Sequence, residues 1–235
     1  MAGPARLRGA EGGAMMRLHH VQYGRSFRVL WLYEEIGEAV LGPLEIVEHR
    51  IGSKEMRESD LPRLSPAVRI PAIELDGLEM SESGAIVQHL CETCAPALDR
   101  TGWRCGAARL PAVDPFRRDA GQSCREPQPA DGLPAPPAKP SPVVVKLTVA
   151  RLRQTVAGME ARLGAGYLLP SGFSGADVMM GFNLFAIPYF VDLAPFPKVR
   201  AYKALLETRA AHRRACAREG AQRFYTQDFY PVPEA

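Results

Sequence analysis

The sequence predicts an α/β domain followed by an all-α one. Three observations carry this reading: a proline-led hairpin and helix start between Val68 and Ile86, a strand and an apolar helix ahead of it between Met16 and Ile36, and a Ser-x-x-Asp box at Ser174 to Asp177 that opens a strongly apolar helix.

Taken in order, Met16 to Val21 reads as a short strand. Ser26 to Ile36 carries Val29, Leu30, Leu32, Tyr33 and Ile36 at helical spacing, with Gly37 as the stop. Leu44 to His49 alternates as a second strand, and a short helix follows from Lys54. Pro71 lacks a ladder donor and fixes φ, so it belongs at the start of a strand, and the Ile70-Pro71 bond is a candidate for cis geometry. Asp76-Gly77 is a strong hairpin signal, because a type I′ turn needs positive φ at both central residues. Ala72 to Leu75 and Leu78 to Met80 are then paired strands. Ser81-Glu82-Ser83 supplies hydroxyl caps ahead of a helix whose stripe reads Ala85, Ile86, His89, Leu90, and such a helix start suits an anion. The order β-α-β-α-β-β-α results.

Downstream, Ser174 caps the next helix and Asp177 reaches back to it, a folding device rather than a catalytic one. Phe182, Leu184, Phe185, Ile187 and Tyr189 make that helix apolar nearly all round, as burial requires, and Pro188 bends or ends it. Pro197 sits in the first turn of a further helix.

Composition narrows the function classes. The 235 residues are 46% apolar and 23% charged, which suffices for a real core in one or two domains. No run approaches the roughly 18 apolar residues of a membrane span. A net charge of +3 without a basic, aromatic-interleaved stripe argues against nucleic acid. His212-Arg213-Arg214 reads as a solvated helix face. Residues 1–14 are Gly- and Ala-rich, unlike a secretory signal, and are expected to be disordered, with Met15 or Met16 a plausible start. Cys91 and Cys94 form a CxxC at the wrong end of the domain for redox work. His89 and Cys91 point to different faces, so no metal is expected, and Cys91, Cys94, Cys105, Cys124 and Cys216 read as unligated thiols in a reducing cytoplasm.

The stretch Val68 to Ile86 resembles the glutathione site of the glutathione S-transferase family. That resemblance implies an N-terminal thioredoxin-like domain and a C-terminal helical domain. Ile70 holds the position that offers its backbone to the cysteinyl part of glutathione beside Pro71, a form of β-augmentation. Glu82 and Ser83 match the family's Glu-Ser pair, which binds the γ-glutamyl carboxylate. Leu64 to Arg69 resembles the family's Asn-Pro-x-Gly-Lys loop, with Ser65 for Asn, Val68 for Gly and Arg69 for Lys, so Arg69 is the candidate for the glycyl carboxylate. Catalysis in the family depends on a hydroxyl or thiol just after the first strand. The run Tyr23-Gly24-Arg25-Ser26-Phe27-Arg28 resembles bacterial and fungal members reading Ser-Arg-Ser there, but Gly24 stands at the serine position. Tyr23 and Ser26 are the remaining hydroxyls, Ser26 with the alternative of a simple N-cap, and the amides of Gly24 to Ser26 could also hold a thiolate.

The helical resemblance resumes near Val143, where Ser174 to Asp177 matches the family's capping box and Arg209-Ala210-Ala211 stands for its Arg-Pro-Ala. Residues 96–142 depart from it, so the helical domain lacks a recognisable first helix. They hold ten of the 21 prolines. One back-translation of Pro111 to Arg117, read a base later, gives Leu-Gln-Trp-Ile-His-Phe-Ala, which resembles the family's fourth helix. A shifted reading frame is therefore one explanation of the segment, and a Pro-rich linker the other. The expected layout is a disordered 1–14, a glutathione-binding domain at 15–95, an irregular 96–142, a helical domain at 143–220 and a tail at 221–235. The resemblance implies a cytoplasmic detoxifying enzyme that activates glutathione, its co-substrate, as a thiolate for transfer to a small electrophilic, largely apolar substrate. It also implies a homodimer, with no membrane or nucleic-acid partner. A non-catalytic or defective glutathione-binding protein is the alternative.

Overall fold

The computed structural model describes residues 15–99, 142–222 and 225–232. The first fourteen residues and all but the ends of the Pro-rich stretch lie outside them, as do Cys105 and Cys124. Two compact units divide the chain, residues up to 100 together with 209–221, and residues 101–208 together with 222–235.

The first unit is built on four strands, β1 (Met16–His20), β2 (Leu44–Glu48), β3 (Ala72–Leu75) and β4 (Leu78–Ser81), in the order β2-β1-β3-β4. β1 runs parallel to β2, pairing Leu18 with Ile46, and antiparallel to β3, pairing Leu18 with Ile73. The β3–β4 turn has φ of 49° at Asp76 and 76° at Gly77, as the type I′ signal requires. Helix α1 (Phe27–Ile36), stopped by Gly37 at φ 92°, and the short α2 (Glu38–Leu41) join β1 to β2. Two short helices, α3 (Lys54–Glu58) and α4 (Leu61–Leu64), precede β3, and α5 (Ser83–Cys94) follows β4.

Strand alternation sorts the two faces of the sheet. Met16 and Leu18 point into a core with Leu30, Leu32, Ile86, Val87 and Leu90, all fully buried. Arg17 and His19 point the other way, where Arg17 meets Glu45 at 2.9 Å and His19 meets His49 at 2.9 Å. Below them Met56, Leu61, Leu64 and Ala72 form a small apolar cluster to which Val68 and Ile70 add.

Helix α1 is buried on nearly every side, from Phe27 to Glu34, because a distant helix covers its second face. This helix, numbered α9 below, spans Ala210–Glu219 and belongs to the first unit despite its place in the sequence. The expectation of a solvated face at His212 to Arg214 holds for Arg213 and Arg214, which are exposed, and is corrected for His212, which is half-buried. His212 lies edge-on to Trp31 at 4.7 Å, Arg214 and Arg218 both pair with Glu34, and Arg209 grips Glu35 through two nitrogens at 2.7 and 2.8 Å. Those partners lie more than 170 residues away, beyond the reach of local periodicity.

The second unit holds α6 (Pro142–Arg162), α7 (Gly175–Ala186), a 3₁₀ turn at Ile187–Tyr189 and α8 (Pro197–Glu207). The capping box at Ser174 is complete: Asp177 Oδ2 accepts from the Ser174 amide at 2.9 Å and hydroxyl at 3.0 Å, and Oδ1 accepts from Leu168 N at 2.9 Å and Tyr202 Oη at 2.8 Å. Glu160 of α6 caps α8 in turn, accepting from the amides of Lys198 and Val199. Pro188 ends the α-helix and passes it into the 3₁₀ turn. The last described residues fold back on that turn, Tyr225 stacking on Tyr189 at 4.0 Å and Tyr230 donating its amide to Tyr189 O. Among the described residues no helix is long and apolar enough to cross a membrane, and Cys91, Cys94 and Cys216 form no disulfide.

Candidate functional site

The segment before β3 is held by its own serine. Buried Ser65 accepts the Arg69 amide on its hydroxyl at 3.1 Å and the Val68 amide on its carbonyl at 2.7 Å. Val68 is thereby forced to φ 51°. A β-branched side chain is strained in that region, which glycine enters freely, so the geometry matches the glycine of the loop that Leu64 to Arg69 resembles. The Ile70-Pro71 bond is cis. Both residues stand ahead of the ladder, which begins at Ala72, so the Ile70 backbone lies at the strand head rather than in the sheet. Arg69, beside it, is exposed.

The start of α5 differs from the sequence expectation of hydroxyl caps. Glu82 occupies the N-cap at φ 73° and no side chain caps the helix. Ser83, buried, is the first helical residue, and its hydroxyl accepts from Arg28 Nη1 at 3.0 Å. The first backbone bond into the helix runs from Ile86 N to Glu82 O, so the amides of Ser83, Gly84 and Ala85 precede it. Arg28 is 2% exposed. A guanidinium and the positive end of a helix thus meet at one serine, an arrangement suited to a carboxylate. Sequence reading passed over Arg28 as a ligand-site residue. The available signal was a lone cation within Phe27-Arg28-Val29-Leu30-Trp31-Leu32, where burial of the flanking residues demands a polar purpose for the charge.

The third part is the loop from Val21 to Ser26. Ser26 is fully buried, and its hydroxyl makes no N-cap bond. Instead it closes the loop on itself, accepting from Val21 N and donating to Val21 O, both at 3.1 Å. The amides of Gly24, Phe27, Arg28, Val29 and Leu30 all donate to carbonyls within the same turn; the Ser26 amide is not among these donors. Gly24 packs so closely that a Cβ there would lie 2.7 Å from Val21 O. The loop as folded therefore has no room for a serine at that position. Tyr23, half-buried and at φ 52°, donates its hydroxyl to Gly220 O and its amide to Glu219 Oε2. Glu219 was not singled out from the sequence, since nothing local links it to a loop almost 200 residues earlier.

Charge around these parts is mostly paired. The Arg63 guanidinium holds the Glu79 carboxyl below the usual range. Burial first, and then the neighbouring His19, push the His49 imidazole down. Among the described residues no group of three His, Cys, Asp or Glu could hold a metal ion.

Comparison with known proteins agrees with the geometry. Residues 18–97 match the family described as glutathione S-transferase, N-terminal domain. Glutathione S-transferase 1 of Triticum aestivum is 27% identical over 208 residues, covering 80% of this chain and 87% of its own. Among solved structures, the bacterial transferase BphK superposes with a TM-score of 0.71 at 21% identity, over 87% of this chain and all of its own. Ure2p5 of Phanerochaete chrysosporium, cocrystallized with 1-(S-glutathionyl)-2,4-dinitrobenzene, gives 0.68 at 18% identity, over 89% and 96%. The fold is that of these solved structures, a thioredoxin-like sheet domain followed by a helical one, and the match to the glutathione S-transferase family is that of its N-terminal domain over residues 18–97.

Proposed function

We propose that the protein is a glutathione transferase that activates glutathione as a thiolate and conjugates it to an electrophilic, largely apolar substrate. The observation that carries this reading is the head of α5, where buried Arg28 meets Ser83 ahead of three leading amides. Ser83 and Glu82 hold the γ-glutamyl end there, with Arg28 supplying the countercharge. The backbone of Ile70 before Pro71 pairs with the cysteinyl part, and exposed Arg69 takes the glycyl carboxylate.

The sulfur then falls to the Tyr23–Ser26 loop. Both hydroxyl protons of that loop are committed to carbonyls, Tyr23 to Gly220 and Ser26 to Val21. Activation is therefore assigned to the Ser26 amide and the positive end of α1, with the two hydroxyls shaping the loop. A free thiol has a pKa of about 8.5, and lowering it by about two units amounts to about 2.7 kcal/mol, within reach of one charge-assisted hydrogen bond and a helix terminus together. The thiol proton leaves to solvent. The sulfur lone pair forms a C–S bond at the electrophilic carbon, and the displaced group leaves with its bonding pair. An activated aryl carbon is the substrate class suggested by the conjugate bound to Ure2p5.

The test is conjugation of glutathione to a nitro-substituted aryl halide, followed across pH. The expected result is a saturable rate whose apparent pKa lies about one to two units below that of free thiol. A rate no greater than that of glutathione alone, in a protein that binds it, would leave the non-catalytic alternative.

A further inference from the structure

The last residue of α9 holds the loop that follows β1. Glu219 is 2% exposed, and its carboxylate makes two separate contacts, one at the end of β1 and one on that loop. Oε2 accepts the Tyr23 amide, and Oε1 lies 3.2 Å from Nε2 of His20, at ion-pair distance without hydrogen-bond alignment. Its backbone carbonyl accepts from the Gln22 side chain, and the next carbonyl, of Gly220, accepts from the Tyr23 hydroxyl. Two adjacent residues thus grip His20, Gln22 and Tyr23. The rest of the helix is held against α1, by Arg209 on Glu35 at its far end and by Arg214 and Arg218 on Glu34 along its length.

Packing alone does not call for a carboxylate here. Buried ion pairs can often be replaced by apolar side chains of similar volume without loss of stability. What an apolar residue cannot supply is an acceptor for the Tyr23 amide, which is presented only while Tyr23 stays at φ 52°, a conformation that a tyrosine does not choose unaided. That residue immediately precedes Gly24, whose amide closes the turn on Val21, and the same turn sets the Ser26 amide.

We propose that Glu219 is a positioning residue for the thiolate-binding loop: through the Tyr23 amide it fixes the left-handed turn that orients the Ser26 amide. The consequence for catalysis rests on the transferase reading above. The placement of the loop does not.

Two substitutions separate the acceptor from the bulk. E219Q keeps an oxygen for the Tyr23 amide, while E219M fills the same volume without one. Hydrogen exchange of residues 21–26 is expected to rise about tenfold or more in E219M and to stay near wild type in E219Q, with exchange in α5 unchanged in both. In the same proteins the thiol pKa of bound glutathione, read from thiolate absorbance, is expected about one unit higher in E219M, with glutathione affinity little altered. Wild-type exchange in E219M, equal effects of both substitutions, or failure of E219M to fold while E219Q folds would each overturn the proposal. A wild-type protein that leaves the bound thiol at its free value would instead overturn the transferase reading, with the exchange comparison still deciding the role of Glu219.

Discussion

Helices α5 and α7 both begin at a serine, and the two starts are built in opposite ways. At α7 the Ser174 amide, the Ser174 hydroxyl, the Leu168 amide and the Tyr202 hydroxyl all end on one carboxylate, Asp177, which is fully buried. At α5 no side chain caps the helix, and the Ser83 hydroxyl faces a guanidinium instead of an amide. A helix start that consumes its own donors serves folding. One that keeps its leading amides and adds a buried cation is prepared for an anion from outside.

The comparison is broken most severely at α7. Asp177→Ala orphans four donors at once and is expected to cost about 3 to 5 kcal/mol, read as a lower urea midpoint. A loss under about 1 kcal/mol would show that the box is not what holds the second unit. Gly24→Ser tests whether the loop merely lacks its family hydroxyl. With Val21 O 2.7 Å from the new Cβ, the expected outcome is a loss of about 1 to 3 kcal/mol and no gain in conjugation rate. Faster conjugation would mean that the loop adapts.

A smaller effect is expected on the charged face of the sheet. The folded His49 pKa lies below its unfolded value of 6.5, so the unfolded chain takes up the proton first and stability falls as pH drops through that value. The loss continues until the folded pKa is reached and then levels off. His49→Gln is expected to flatten the fall in stability as pH drops below about 6.5, measured by denaturant titration at each pH. An unchanged slope would assign it to other groups. Smallest of all is Val68→Gly. Relief of a left-handed valine, about 1 to 2 kcal/mol, is set against the added chain entropy of glycine and the lost contact with the Met56–Leu61 cluster. The net change is expected within about 1 kcal/mol, and a larger loss would show that Val68 is kept for its packing.

Local signals carried the sheet, the hairpin and the Ser174 box. Asp76-Gly77, Gly37 and Pro197 act within a few residues of themselves, and periodicity reports burial wherever one face of an element is covered. The family resemblance reached the site through the same short segment, Ser65 to Ser83, and left Val68 at a positive φ as its physical counterpart. What stayed illegible depends on long-range pairing. Arg28 looked like one more charge in a helix, and its meaning arises only when α5 brings Ser83 to 3.0 Å. Ser26 resembled an N-cap, but its hydroxyl turned back to Val21. The docking of α9 through Glu34, Glu35 and Glu219 joins residues more than 170 positions apart, and no sequence period encodes that.

Titration of glutathione into the wild-type protein and into Ser83→Ala, followed by calorimetry, tests the claim that the head of α5 is a ligand site. Wild-type binding in the micromolar to millimolar range, weakened about tenfold or more in a Ser83→Ala protein that remains folded, is the predicted result. Equal affinities for the two proteins, or no heat from a folded wild type, would contradict it.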